Sequence, residues 1–258
     1  MKKNALISTV HLLAVLAVNF LANALPLNNL TTREVSDRYP NLFVPDGLTF
    51  SIWGLIYLLL CLFVVQQWRA AYRGDSQLIN ATNGILRWFW LSCLLNAGWI
   101  MAWHFLMPVV SWCIMIALLA VLTHIFLRLR TTTAHLSLGQ RLVAHAPFVI
   151  YFAWICVATA ANTTAVLVHL QWGAMGWPHQ FWAISLVAVV CLLASWIVLR
   201  FDEPIFALVV AWALFGLQRK EYGVHTTVAH AALIGAIACI LLAGYKWLFP
   251  RKLISNLG

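Results

Sequence analysis

Residues 45–68 read PDGLTFSIWGLIYLLLCLFVVQQW. The stretch opens on a Pro-Asp-Gly turn, in which proline fixes one φ and glycine permits a positive one. Thr49 or Ser51 is then placed to accept from the first free backbone N–H groups of a helix. No charge follows until Arg69, so the 22 residues from Gly47 to Trp68 form an uncharged, apolar run. That length is close to the roughly 20 residues a helix needs to cross a bilayer core. Phe50, Trp53 and Tyr57 recur at spacings of three and four and share one helix face. Three aromatics at the end of a membrane helix nearest a long polar loop are either packing bulk or the wall of a pocket.

The remainder of the chain has the same character. Of 258 residues, 63% are hydrophobic and 9% charged, which points to an all-α polytopic membrane protein rather than a soluble domain. The 14 tryptophans exceed ordinary usage, and some are expected in the interfacial belt. The six cysteines all lie inside apolar runs, without metal-ligand spacing, and read as buried free thiols.

Apolar runs at 5–25, 47–68, 86–106, 108–127, 145–169, 178–199, 204–218 and 226–249 predict eight spans, the seventh at the short limit. The first run, after Lys2 and Lys3, also has the form of a signal peptide ending Ala22-Asn23-Ala24. Asn19 and Asn23, an i,i+4 polar pair, suit a helix–helix interface better. Residues 26–47 make the longest polar connection, with a short surface helix expected over Thr32–Arg38. Leu42, Phe43 and Val44 are apolar enough to fold that connection back onto the bundle as a cover. A polar turn around Asn80, Asn83 and Gly84 and a Thr-rich loop ending at Arg141 are expected elsewhere.

Charge placement orients this arrangement. With eight spans, one side holds Lys2, Lys3, Arg69, Arg73, Arg87, Arg128, Arg130, Arg141, Arg200, Lys246, Arg251 and Lys252, which is 12 of the 16 cationic residues. The other side holds Arg33, Arg38, Arg219 and Lys220. The positive-inside rule therefore predicts an inner (plasma) membrane protein with both termini cytoplasmic. The whole excess of +9 is explained by topology, so nucleic acid is excluded as a partner. The expected partners are the lipid bilayer, a small hydrophobic ligand and, as a further candidate, a second copy of the chain.

Three polar-aromatic constellations fall within the first five helices: Phe50, Trp53 and Tyr57; Asn96 and Trp99, with Trp103 and His104 continuing the face; and Tyr151, Trp154, Ala158 and Asn162. A mid-helix Asn in lipid must find a partner, because an unpaired amide there costs several kcal/mol. Asn96 and Asn162 read either as ties between helices or as the polar end of an aromatic cavity suited to a flat, largely apolar ligand. No nucleophile–base pair and no carboxylate within the spans is visible, so hydrolysis and a carboxylate proton relay have no machinery. The scattered histidines show no metal spacing, and no cofactor is required.

Together these spacings resemble the tryptophan-rich sensory protein family, TspO/MBR or translocator protein. Trp53 and Tyr57 match its W-x-x-x-Y, Asn96 and Trp99 its N-x-x-W, and Tyr151, Trp154 and Asn162 its fifth-helix pattern, in order over residues 5–170. Ser51-Ile52 stand where the family has Gly-Pro, and Ile150 where it has Pro. The resemblance implies a five-helix bundle at 1–170, and the apolar runs within 171–258 depart from it by adding about three membrane helices packed on the same bundle. It also implies a pocket lined by Phe50, Trp53, Tyr57, Asn96, Trp99, Tyr151, Trp154, Ala158 and Asn162 and capped by the loop Pro45, Asp46 and Gly47. The implied function is binding of a flat, hydrophobic, tetrapyrrole-like ligand in this intramembrane pocket, with sensing or transport as its use. A secondary transporter of a small hydrophobic solute, an intramembrane enzyme acting on a tetrapyrrole or lipid, and a ligand-free structural subunit are the rival readings.

Overall fold

Charges and prolines punctuate the apolar runs, and the helices end where those marks fall. This computed structural model describes residues 1–25 and 27–249, apart from the side chains of Asn23 and Leu27. Its helices are α1 Lys2–Ala24, α2 Thr32–Asp37, α3 Ile52–Arg73, α4 Ser76–Asn83, α5 Leu86–His104, α6 Pro108–Thr132, α7 Leu138–Ala144, α8 Ala146–His169, α9 His179–Phe201, α10 Pro204–Glu221 and α11 Thr226–Leu248. Proline occupies the first turn of α6, α8 and α10, where its missing N–H costs nothing. Gly74 stops α3 in a left-handed conformation, at φ 70°. Arg251, Lys252 and the Asn23 side chain lie outside the described residues.

Three local expectations are corrected. The polar turn at 75–84 is instead α4, because the Asp75 carboxylate accepts from Leu78 N at 3.0 Å and caps it. The Thr-rich loop shrinks, because α6 runs on to Thr132 and a Ser137/Gln140 capping box starts α7. The turn before α3 is a 3₁₀ segment, Gly47–Ser51, capped by Asp46 rather than by Thr49 or Ser51. The short helix expected near Thr32 is α2, opened by a Thr31/Glu34 capping box. The Thr31 backbone N–H and hydroxyl hold the Glu34 carboxyl below its usual range.

Six helical segments are long and apolar enough to cross a membrane, and a seventh is reached if α4 and α5, bent by 53°, count as one span. The sequence reading counted eight. The helix that makes the difference is α10, which carries Arg219, Lys220 and Glu221 at its end. Its 18 residues extend about 27 Å at 1.5 Å per residue. Near its start Glu203 meets His145 at 2.7 Å, and near its end Arg219 meets Asp46 at 3.2 Å. These two partners belong to opposite ends of the bundle, so α10 runs from one end to the other.

Helix α1 is an integral member of the packing. Trp90 Nε1 donates to Ser8 Oγ and Trp68 Nε1 to Thr9 Oγ1, each at 2.9 Å. Trp112 Nε1 donates to Thr163 Oγ1 at 2.9 Å, which ties α6 to α8. These three tryptophans are internal ties, whereas Trp177, Trp196 and Trp247 are exposed as belt residues are expected to be. The three C-terminal helices share one hydrophobic core with the rest, in which Phe206 packs edge-on against Phe152.

Candidate aromatic pocket

Segment 38–51 folds back over the end of the bundle where α5 finishes and α8 approaches its exit. Beneath it lies a void. Its walls are Phe50 from the 3₁₀ segment, Trp53 from the start of α3, Trp99 and Trp103 from α5, and Trp154, Ala158 and Asn162 from α8. Val44 and Pro45 roof it, and Thr32 and Ser36 of α2 stand at its edge. The void has a volume of about 50 Å³.

Ring geometry fixes the walls. Trp53 stacks on Trp99 with centroids 6.0 Å apart and planes at 26°, and Trp99 stacks on Trp103 at 6.2 Å and 18°. Trp154 stands edge-on to both Trp53, at 6.4 Å, and Phe50, at 6.1 Å. Offset and edge-to-face contacts of this kind hold rings in place without a polar anchor. The void persists partly because α8 presents Ala158, Ala161 and Ala165 there, at helical spacings of three and four.

The two asparagines, alike in sequence, occupy different settings. Asn96 lies one layer below the void and does not line it. Its Oδ1 accepts from Asn19 Nδ2 at 3.0 Å and from Tyr57 OH at 3.2 Å, and its Nδ2 donates to Tyr151 OH at 2.7 Å. One amide thereby ties α1, α3, α5 and α8, and Tyr57 and Tyr151 serve that network rather than the void. Asn162 lines the void, and among the described residues its one polar contact is a 3.4 Å bond from Nδ2 to Ser111 Oγ. Its Oδ1 is buried and has no partner. The indole N–H groups of Trp99 and Trp154 are likewise buried and unpartnered.

Among the described residues no charged side chain lines the void. The nearest buried imidazole, His104, has Nδ1 2.9 Å from the Ile100 carbonyl, so it donates there and leaves Nε2 to accept from Thr32 Oγ1, 3.5 Å away. Of the expected capping loop, Pro45 roofs the void, whereas Asp46 and Gly47 point their contacts outward. Asp46 pairs with Arg219, and a methyl placed on Gly47 would come within 2.9 Å of the Arg33 guanidinium. Among the described residues no three His, Cys, Asp or Glu side chains are grouped to hold a metal ion.

The family model described as TSPO-like protein matches residues 5–245. The chain belongs to the TSPO-like protein family. The match continues past α8 through α9 and α10 into α11, so the C-terminal helices lie within its extent. No curated protein and no solved structure gives a match. Its family and its apolar helices make this TSPO-like chain a multi-pass membrane protein.

Sequence reasoning missed Thr32, Ser36, Val157, Ala161 and Ala165 as lining residues, whereas Val44, expected in the folded-back cover, roofs the void. The alanines were signalled by their helical spacing around Asn162, but α2 reaches the void only through loop folding. A second buried polar site was also missed. His145 Nε2 and Glu203 Oε1 lie 2.7 Å apart with side chains 5% and 7% exposed, at the end of the bundle away from the void. The two residues are 58 positions apart and each flanks a helix start, so no local spacing announced the pair.

Proposed function

We propose that this TSPO-like protein binds a flat, largely apolar ligand in the void between α3, α5 and α8. One observation carries the reading: Trp99, Trp154 and Asn162 line the same apolar space, and their two indole N–H donors and one amide oxygen are buried with no partner among the described residues. A buried polar group left unpaired costs about 1–3 kcal/mol, and native structures hold few of them. A ligand offering acceptors to the indoles and a donor to Asn162 would recover that cost, and its flat face would stack on the rings. Among the described residues the lining holds no carboxylate, histidine or cysteine, which favours binding over turnover.

The size of the void narrows the candidates. A single water needs roughly 10–15 Å³ and an engineered cavity that binds benzene has roughly 150 Å³, so about 50 Å³ holds a few waters. A flat ring therefore enters as the roof at Val44–Phe50 moves, and a tetrapyrrole needs the larger displacement. Sensing or transport of such a molecule, in an inner membrane with both ends of the chain cytoplasmic, is the physiological setting we infer from the charge distribution.

Titration of tryptophan fluorescence in detergent with protoporphyrin tests the proposal. Saturable quenching is expected in the parent, with about five- to tenfold weaker affinity in Asn162→Leu, the loss of one hydrogen bond. Quenching that rises linearly with porphyrin in the parent would contradict it.

A further inference from the structure

The segment Asp46–Thr49 is bracketed by two residues that touch the void, Pro45 and Phe50, yet what holds it is α10, which contributes nothing to the lining. Four contacts make the attachment. Asp46 N donates to the Gly216 carbonyl at 3.1 Å, and Trp212 Nε1 donates to the Thr49 carbonyl at 3.0 Å. Arg219 Nε lies 3.2 Å from Asp46 Oδ2. The buried Thr49 side chain rests against Gly216 so closely that a Cβ there would fall 1.8 Å from Thr49 Oγ1. The Asp46 carboxylate divides its work. Oδ1 accepts from Thr49 N and Thr49 Oγ1, at 3.2 and 2.7 Å, and so shapes the turn, while Oδ2 faces α10.

We propose that α10 is a latch for the pocket: the docking of Asp46 and Thr49 on Trp212, Gly216 and Arg219 sets how readily a ligand reaches the void. This rests on the void being a ligand site. The roof is two residues deep at Val44 and Pro45, and it can lift only if Thr49 leaves the notch at Gly216. The Arg219–Asp46 pair is partly exposed, with side chains 48% and 21% accessible, so it is the contact that the aqueous phase can loosen. The other three are backbone and indole hydrogen bonds or close packing, which define the closed position. The C-terminal helices thereby gain a role that the five-helix reading left blank.

The test measures access without requiring a ligand. Ala165 lines the void and is 2% exposed. In an Ala165→Cys background, the labelling rate of that cysteine by a water-soluble maleimide is followed by peptide mass spectrometry. Arg219→Glu, which sets a second negative charge beside Asp46, is expected to speed labelling about three- to fivefold, and Arg219→Lys to leave it near the parent rate. Gly216→Val, which denies Thr49 its seat, is expected to speed it at least about tenfold. Equal rates in Arg219→Glu and the parent would overturn the latch, and this side chain is exposed enough for the substitution to fold. Protoporphyrin quenching on the same variants separates the two claims. Saturable quenching with unchanged labelling rejects the latch and keeps the pocket, whereas faster labelling without saturable quenching keeps the latch and rejects the ligand.

Discussion

Asn96→Leu is expected to destabilise the bundle by about 2–4 kcal/mol while leaving ligand binding by the folded protein nearly unchanged. The substitution removes three hydrogen bonds at once and strands Tyr57 OH and Tyr151 OH in the interior. Hydrogen bonds between membrane helices average roughly 0.6 kcal/mol and reach about 1.7, so three sharing one amide give this range. Asn162→Leu should behave in the opposite way. It deletes an acceptor that has no partner and a weak 3.4 Å bond, so the thermal midpoint in detergent should stay near that of the parent while affinity falls. Comparing thermal midpoints and porphyrin affinities of the two variants checks both statements. Equal destabilisation by both would mean that the two amides do the same structural job.

Glu203→Ala is expected to cost about 2–4 kcal/mol, because it leaves His145 buried with neither ring nitrogen partnered. Glu203→Gln keeps an oxygen where the imidazole needs one and should cost less than about 1 kcal/mol. The pair joins the start of α8 to the turn between α9 and α10. Its loss should therefore loosen the C-terminal helices from the rest, seen as faster amide exchange in α10 and α11. Parent-like thermal stability of Glu203→Ala would refute the assignment.

Much of this arrangement was readable before any coordinates. Helix limits followed from Pro108, Pro204 and the basic residues, because prolines and charges interrupt an apolar period unambiguously. Spacing put Phe50 and Trp53 on one helix face, and the resemblance to the TspO/MBR family implied that Trp99 and Trp154 join them around one pocket. What sequence could not separate was Asn96 from Asn162. Both are mid-helix amides near aromatics, and only depth along neighbouring helices tells the satisfied one from the unsatisfied one. Nor could it place Gly216 against Thr49 or Glu203 against His145, since those contacts depend on how α10 docks. A glycine one turn after Trp212 was the available hint of a close approach, and it gives no partner.

The central claim is that a flat ligand sits among Trp99, Trp154 and Asn162. Photo-crosslinking with a flat aromatic probe that carries a diazirine, followed by peptide mapping, tests it most directly. The account predicts adducts on α5 around Trp99–Trp103 and on α8 around Trp154–Asn162, competed away by excess unlabelled probe and reduced in Asn162→Leu. Adducts confined to lipid-facing side chains such as Leu192 or Leu241, unaffected by competitor, would contradict it.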